Sequence, residues 1–455
     1  MPDSGQLENL RQYFNSGQTR SYAFRKEQLK KLKQAILQHE EELYAALFYD
    51  LKKSKEETWV TETGMVLAEL SAAIRNLREW MRPEPVTTNL LNFPSSSKVL
   101  REPLGVVLII GPWNYPFQLL INPLIGAIAA GNCVVLKPSE FAPATDAVMK
   151  KIIEETFSPE YILYVQGAGE KVIPAMMDAF RFDHVFYTGS TAVGRIIYKM
   201  AADKITPVTL ELGGKSPCVV ESDANIKVAA KRIVMTKFSN AGQMCVAPDY
   251  ILVHESKKNE LIDEIKKRIV DFFGERPEES YNYGKLINEK QFDRVHGYLQ
   301  QGTIVYGGRT DKANLFIEPT VLTDVNIESP VMKDEIFGPV LPVISFATTE
   351  QAKAIIDKNP NPLSFYIYSS GKEKEWLELV PAGGVCVNNS SWHLTNHHLP
   401  FGGRGFSGTG NYHGHFSFET FSHRKAVMKT PTWFDPKMKY PPFKGKLKLF
   451  KWIIR

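Results

Sequence analysis

The sequence predicts an α/β protein made of two successive parallel-sheet units. From residue 104 onward, short apolar runs alternate with amphipathic stretches, the pattern of strand–helix–strand crossovers. The rhythm restarts after "VTLELGG" (208–214), which places a junction between two units near residue 211. Ahead of both units, residues 5–82 read as helices and 86–103 as an extended excursion.

The helical opening rests on "RKEQLKKLKQAILQHEEELYAALFYDL", where apolar residues recur at helical spacing between charged ones. "PVTTNLLNFPSSSKVLREP" (86–103) breaks that period with Pro, Ser and β-branched residues and reads as a hairpin or excursion within one domain. "GVVLII" then reads as a strand, "NPLIGAIAAG" as a helix ending at Gly131, and "NCVVLKPS" as a strand. The apolar run 119–136 contains Asn122, Pro123, Gly131 and Asn132. It therefore fits a buried helix and strand better than a membrane span. "HVFYTGS" and "TAVGRIIYKMAAD" give a further strand and helix. In the second unit "PCVVES" and "YILVHES" are strands, each followed by a helix. Residues 401–416, "FGGRGFSGTGNYHGHF", read as a glycine-rich loop, and "FSHRKAVMKT" as a strand.

Composition excludes several classes of function. The net charge of +5 resides in the tail: residues 437–455 hold seven Lys/Arg and no acid, leaving a body of 48 basic against 50 acidic groups. That balance gives no reason to expect nucleic acid as a partner. The polar, acidic N-terminus does not read as a signal peptide. The four cysteines, Cys133, Cys218, Cys245 and Cys386, are widely spaced and form no CxxC pair, so a reducing, cytoplasmic setting is expected. His397, His398, His413 and His415 lack a carboxylate or cysteine at metal-ligand spacing and read as surface or pocket-rim residues, so no metal is expected.

Seven residues in five segments are suited to chemistry. Gly189 and Gly194 lie at a strand-to-helix turn, where free N–H groups suit a phosphate, although such a turn is also ordinary. Lys137 and Glu140 end a strand and could hold ribose hydroxyls or a phosphate, or simply lie on the surface. Glu211 sits in an apolar strand, where burial raises a carboxyl toward general-base range unless it caps backbone. Asn114, in the rigid "PWNYP" turn, could present an amide to an oxyanion or satisfy its own turn. Cys245, in "GQMCVAP", is either a small core residue or a nucleophile.

Seven motifs occur in one order: "PWNYP", "LKPSE", "YTGS", "LELGGKSP", "GQMCVAP", "EIFGPVLPV" and "PFGGRGFSGTG". In that order, and over nearly the whole chain, the sequence resembles the aldehyde dehydrogenase superfamily. The "GQMCVAPDY", "GNYHGHFSFETFSH" and "KYPPF" segments resemble its class 3, fatty-aldehyde-type branch. Met244, ahead of the cysteine, departs from the Thr or Ile of many relatives and would reshape the pocket floor.

The resemblance implies a Rossmann-like cofactor domain (1–85 and 102–210), a second α/β catalytic domain (211–417) and a small β oligomerisation arm (86–101 and 418–430). It implies that Cys245 attacks the aldehyde, that the Asn114 side-chain amide and Cys245 N–H hold the oxyanion, and that Glu211 activates water. Lys137 and Glu140 would take the adenosine ribose. Gly189, Ser190 and Gly194 would line the pyrophosphate turn with Leu212 beside them. Glu335 would hold the nicotinamide ribose next to Phe337. Both NAD and NADP are implied as cofactors, NAD preferred because Glu140 repels a 2′-phosphate. Tyr115, Phe238 and Met244 would line a pocket for medium- or long-chain aliphatic or aromatic aldehydes, and a homodimer is implied. The rivals are a coenzyme A-acylating dehydrogenase, which needs no water-activating base, a thiol esterase, and a non-catalytic structural homologue.

The basic tail, 437–455, carries a separate expectation. With Phe443–Arg455 as a helix, Lys444, Lys448, Lys451 and Arg455 form a cationic stripe beside Phe443, Leu447, Phe450 and Ile454. That pattern suits peripheral membrane contact, or packing on the body or a dimer partner.

Overall fold

The computed structural model describes residues 4–454. Arg455, the last member of the expected cationic stripe, and residues 1–3 of the expected cofactor domain lie outside the described residues.

Two parallel sheets organise the chain. The first has five parallel strands in the order Val208–Leu212, His184–Gly189, Val106–Ile110, Cys133–Lys137 and Ile162–Tyr164, with the short antiparallel strand Gly408–Thr409 on the edge beside Val208–Leu212. Val106–Ile110 and Cys133–Lys137 are buried at every position. Helices cover both faces, so these strands read as continuous apolar runs rather than alternating ones. Strand order reverses at Val106–Ile110, whose neighbours are His184–Gly189 and Cys133–Lys137. A ligand cleft in an open α/β sheet forms beyond the strand ends at such a switch point.

The 119–136 run folds as the helix Gln118–Ala130 and the strand Cys133–Lys137. All thirteen helix residues are buried, and Gly131 closes the helix at φ 93°, a backbone angle that favours glycine. Among the described residues no helix is long and apolar enough to cross a membrane.

The second sheet has seven strands, from Thr303–Tyr306 at one edge to Gly384–Val387 at the other. Only Thr303–Tyr306 runs antiparallel. A third, antiparallel sheet joins Glu84–Val86, Ser96–Pro103 and Ser422–Lys429.

Two expectations are corrected here. Residues 401–417 close the expected catalytic domain (211–417), yet Phe401 and Tyr412 belong to the core around the first sheet, and Gly408–Thr409 pairs with Leu210 and Glu211. The helix His415–Thr420 packs on Gln118–Ala130, with Ser417 against Gly126, where a Cβ would come within 2.6 Å of the Ser417 side chain. The glycine-rich segment thus returns to the first sheet and closes the cleft between the two units. The tail helix is also shorter than its spacing suggests. It spans Leu447–Ile453, because Gly445 adopts φ 84° and interrupts the turn ahead of it.

Candidate active site

Cys245 sits on a loop that the backbone bends sharply to form. The helix Ile226–Phe238 ends, and Asn240, Ala241 and Gly242 follow at φ 50°, 51° and 75°. Left-handed angles at two non-glycine residues need compensation from their surroundings. Here the Asn240 N–H donates to Glu57 at 2.7 Å, and the Asn240 side chain donates to the Asn114 carbonyl at 2.8 Å. Gln243 bolts the loop down: its amide donates to the Asn240 and Lys285 carbonyls at 3.0 and 2.9 Å and accepts from the Ile287 N–H at 3.0 Å. At Gly242 a Cβ would lie 2.4 Å from the Gly338 carbonyl oxygen.

Cys245 forms part of the wall of two cavities. One, of about 110 Å³, is apolar and is lined by Tyr115, Met244, Leu119, Trp392, Phe401 and Tyr412. The other, of about 790 Å³, lies beyond the strand ends of the first sheet and holds Asn114, Ser190, Glu211, Leu212, Glu335 and Phe337. Burial first, then the charges of Glu335 and Glu211, push the Cys245 thiol above its ordinary value.

Asn114 follows the strand Val106–Ile110 and is buried. One of its amide N–H groups donates to the Gln243 carbonyl at 3.0 Å, which ties it to the cysteine loop. Glu211, on Val208–Leu212, is buried, and neither carboxyl oxygen has a hydrogen-bond partner among the described residues. Burial alone raises its pKa well above the carboxylate range.

The larger cavity has the features a dinucleotide requires. Ser190 caps the thirteen-residue helix Thr191–Asp203, its hydroxyl accepting from the Val193 N–H at 3.4 Å, and the helix start faces the cavity. That end offers partial positive charge and free N–H groups to phosphate. The buried Thr188 hydroxyl on the same wall has no partner among the described residues. Glu335 occupies the space a side chain at Gly213 would fill, since a Cβ there would meet its carboxyl oxygen at 2.0 Å. Burial and Asp249 raise Glu335 to about 8, against the Gly214 N–H, which lowers it. Phe337, at φ 45°, stands edge-on to Trp113 at 5.2 Å.

The remaining expected cofactor residues divide between this wall and its surroundings. Gly194 is not on the cavity wall; a Cβ there would meet Leu212 at 2.5 Å, so its part is to let the helix approach the sheet. Gly189 lines the cavity beside Tyr187, whose hydroxyl leaves no room for a Cβ. Lys137 and Glu140 also lie off this wall. Lys137 is buried and donates to Glu140 at 3.4 Å, and Glu140 accepts the Gly169 N–H at 2.8 Å where the helix Gly169–Ala179 begins. Burial raises Glu140, but the Gly169 N–H and Lys137 outweigh it and hold the carboxyl below its ordinary value.

Phe238 is a correction. It is fully buried in the core around the second sheet, while Met235, Thr236 and Ser239 face the apolar cavity. Residues four apart share a helix face, so the face carrying Met235 and Ser239 turns Phe238 inward.

Sequence reasoning missed Val60 and Thr61, which a π-helical turn over Trp59–Thr63 brings to the apolar cavity. It also missed the buried Lys215–Asp249 pair, 2.5 Å apart, in which Asp249 accepts the Ile336 N–H at 3.0 Å and steadies the loop carrying Glu335. His413 lines the apolar cavity, stacked on Phe401 at 5.1 Å and lowered by burial to about 4. Among the described residues, no three His, Cys, Asp or Glu side chains are grouped to hold a metal ion.

A family model described as "Aldehyde dehydrogenase family" matches residues 8–427. The chain is 45% identical over 443 residues to the 4,4'-diaponeurosporen-aldehyde dehydrogenase of Staphylococcus aureus, covering 96% of each. It is 42% identical over 448 residues to the dimeric NADP-preferring aldehyde dehydrogenase of Rattus norvegicus, covering 98% of each. Among solved structures, the substrate-bound state of Staphylococcus aureus AldH superimposes with a TM-score of 0.98 at 43% identity, over 100% of both chains. An indole-3-acetaldehyde dehydrogenase in complex with NAD+ gives 0.85 at 28% identity, over 94% of this chain and 88% of that one. With a cysteine loop between an apolar cavity and a dinucleotide-sized cleft, and with these relatives over nearly its full length, the chain belongs to the aldehyde dehydrogenase family.

Proposed function

We propose that the protein oxidises medium- or long-chain aliphatic or aromatic aldehydes to carboxylic acids with NAD or NADP. The observation that carries this reading is Cys245 in the wall of both cavities. The sulfur attacks the aldehyde carbon, and the carbonyl oxygen becomes an oxyanion. The Asn114 amide has one N–H on Gln243; with its second N–H and the Cys245 backbone N–H it stabilises that oxyanion. A positioned donor of this kind is worth roughly 100- to 1,000-fold in rate. NAD or NADP, when bound, supplies the acceptor for the hydride that leaves the carbon and converts the Cys245 adduct to a thioester. Ser190 and the helix start behind it would hold the pyrophosphate, and Glu335 the nicotinamide ribose. Glu211 takes a proton from water, the oxygen adds to the thioester, and the acid leaves with the thiol restored. Glu211 favours hydrolysis over transfer to coenzyme A, which needs no such base.

The apolar wall of the smaller cavity supports hydrophobic aldehydes, and the Staphylococcus aureus relative is named for a 4,4'-diaponeurosporen-aldehyde. The test is to mix the protein with octanal or benzaldehyde and NAD in the absence of coenzyme A. Absorbance of reduced nicotinamide is expected to rise; a rise that requires coenzyme A would transfer the reading to the acylating class.

A homodimer suits the exposed Val193, Ile196 and Tyr198 on one helix, and the rat relative is named dimeric. The four unpaired cysteines support a cytoplasmic location. The tail adds peripheral contact with anionic membranes: Phe443, Leu447, Trp452 and Ile454 are exposed among lysines. The intact protein is expected to sediment with anionic vesicles at low salt, and deletion of 443–455 to release it with activity on a soluble aldehyde unchanged. Loss of the dimer on deletion would assign the tail to the subunit interface instead.

A further inference from the structure

Lys53 and Glu62 form an ion pair with no solvent exposure at either side chain, Nζ to Oε1 2.6 Å. Such a pair is costly to bury, and apolar residues of the same size often serve stability equally well. Its contacts point to another role. The Lys53 ammonium also donates to the Asn114 carbonyl at 3.0 Å and lies 3.8 Å from the centre of the Tyr115 ring. The second Glu62 oxygen accepts the Phe117 and Gln118 N–H groups at 3.1 and 3.0 Å. The turn that carries Asn114 is therefore gripped at both ends by one ion pair. The Asn114 carbonyl takes a further bond from Asn240, and Glu57 holds the Asn240 N–H. Three acidic or basic side chains of the segment 53–62 thus register the Asn114 turn against the cysteine loop.

The geometry points to Lys53 and Glu62 as positioning residues that set where the Asn114 amide meets the oxyanion formed at Cys245. They act through Asn114: neither side chain is part of the wall of either cavity. Lys53 fixes the Asn114 backbone from its carbonyl side, and Glu62 fixes the start of the following helix. The amide then enters the reaction without reorganising, which is what makes a fixed donor effective. Displacing a positioned group by about 1 Å costs on the order of 100-fold in rate. The inference rests on the assignment of Asn114 to the oxyanion.

The test compares Lys53→Met, Glu62→Gln, Asn114→Ala and the double variant Lys53→Met/Asn114→Ala. The readouts are kcat and KM for benzaldehyde and NAD, and the rate at which iodoacetamide alkylates Cys245, a displacement that develops no oxyanion. Lys53→Met is expected to lower kcat about 100-fold and Glu62→Gln about tenfold, with KM for NAD and the alkylation rate within about threefold of the parent. In the double variant, Lys53→Met is expected to add no loss to that of Asn114→Ala, because both remove one shared function. Losses that multiply, or alkylation and NAD binding that fall in parallel with kcat, would show a merely structural pair and overturn the inference. Glu62→Gln keeps the shape of its side chain and decides the matter if Lys53→Met does not fold; a kcat within twofold of the parent sinks the inference. Full activity in Asn114→Ala would remove the oxyanion assignment itself, a different failure from an inert Lys53→Met beside an impaired Asn114→Ala.

Discussion

Cys245→Ala is expected to abolish aldehyde oxidation, by at least about 10,000-fold, the scale on which removal of an enzyme's nucleophile acts. Cofactor binding should survive, because the helix start at Ser190 and the carboxyl of Glu335 are untouched. The other three cysteines serve as internal controls. Cys133 and Cys218 are fully buried in strands, and Cys386 packs 3.2 Å from His393. Alanine at any of them should leave most of the activity. The pH dependence follows from the thiol itself. Burial, then Glu335 and Glu211, disfavour the thiolate, so the reactive fraction grows as pH rises. Alkylation of Cys245 should keep climbing past pH ~8.5, where an ordinary thiol is half ionised. A plateau below neutrality would show surroundings that favour the thiolate and overturn this pH dependence, whereas near-normal turnover by Cys245→Ala would remove the cysteine from the mechanism.

Glu211→Gln is expected to separate the two halves of the reaction. Hydride transfer should proceed once, giving a burst of one reduced cofactor per site. Steady turnover should then fall roughly 100- to 10,000-fold, the usual loss with a positioned general base. Burial raises this carboxyl well above its ordinary range, so in the parent protein the base form accumulates as pH rises and deacylation should quicken. That alkaline rise should disappear in the glutamine variant. Stopped-flow absorbance with benzaldehyde and NAD measures both effects, and the absence of a burst together with unchanged steady turnover would exclude Glu211 as the base.

How much of this was legible in the sequence differed from residue to residue. The strand ends carrying Asn114 and Glu211 were readable because a continuous apolar run stops at a Pro- or Gly-rich turn, which is local information. The cysteine loop was readable because a helix-like stretch gives way to a short loop ahead of the strand Tyr250–His254. Phe238 was misplaced because it and Met235 are both apolar residues on one helix, and only the position of the second sheet decides which faces the core. The 401–421 segment shows no period, and its ties to the first sheet, Gly408 to Glu211 and Thr409 to Leu210, join residues far apart in the chain. Lys53 and Glu62 belong to "KKSKEETWVTET", a stretch that looks solvated on charge alone. Tertiary packing, invisible to any local pattern, takes them out of water. In the tail the helical spacing was real, but a glycine at left-handed φ overrode it.

Among the described residues, only Cys245 and Leu119 belong to the walls of both cavities. On the proposed assignment of the two cavities, aldehyde and dinucleotide use separate doors that meet at the sulfur. A blocker wedged beside Trp392 and Tyr412 should compete with the aldehyde while leaving the dinucleotide's affinity unchanged. Two blockers, one for each door, should occupy the enzyme together, and a molecule long enough to cross at the sulfur would gain the grip of both.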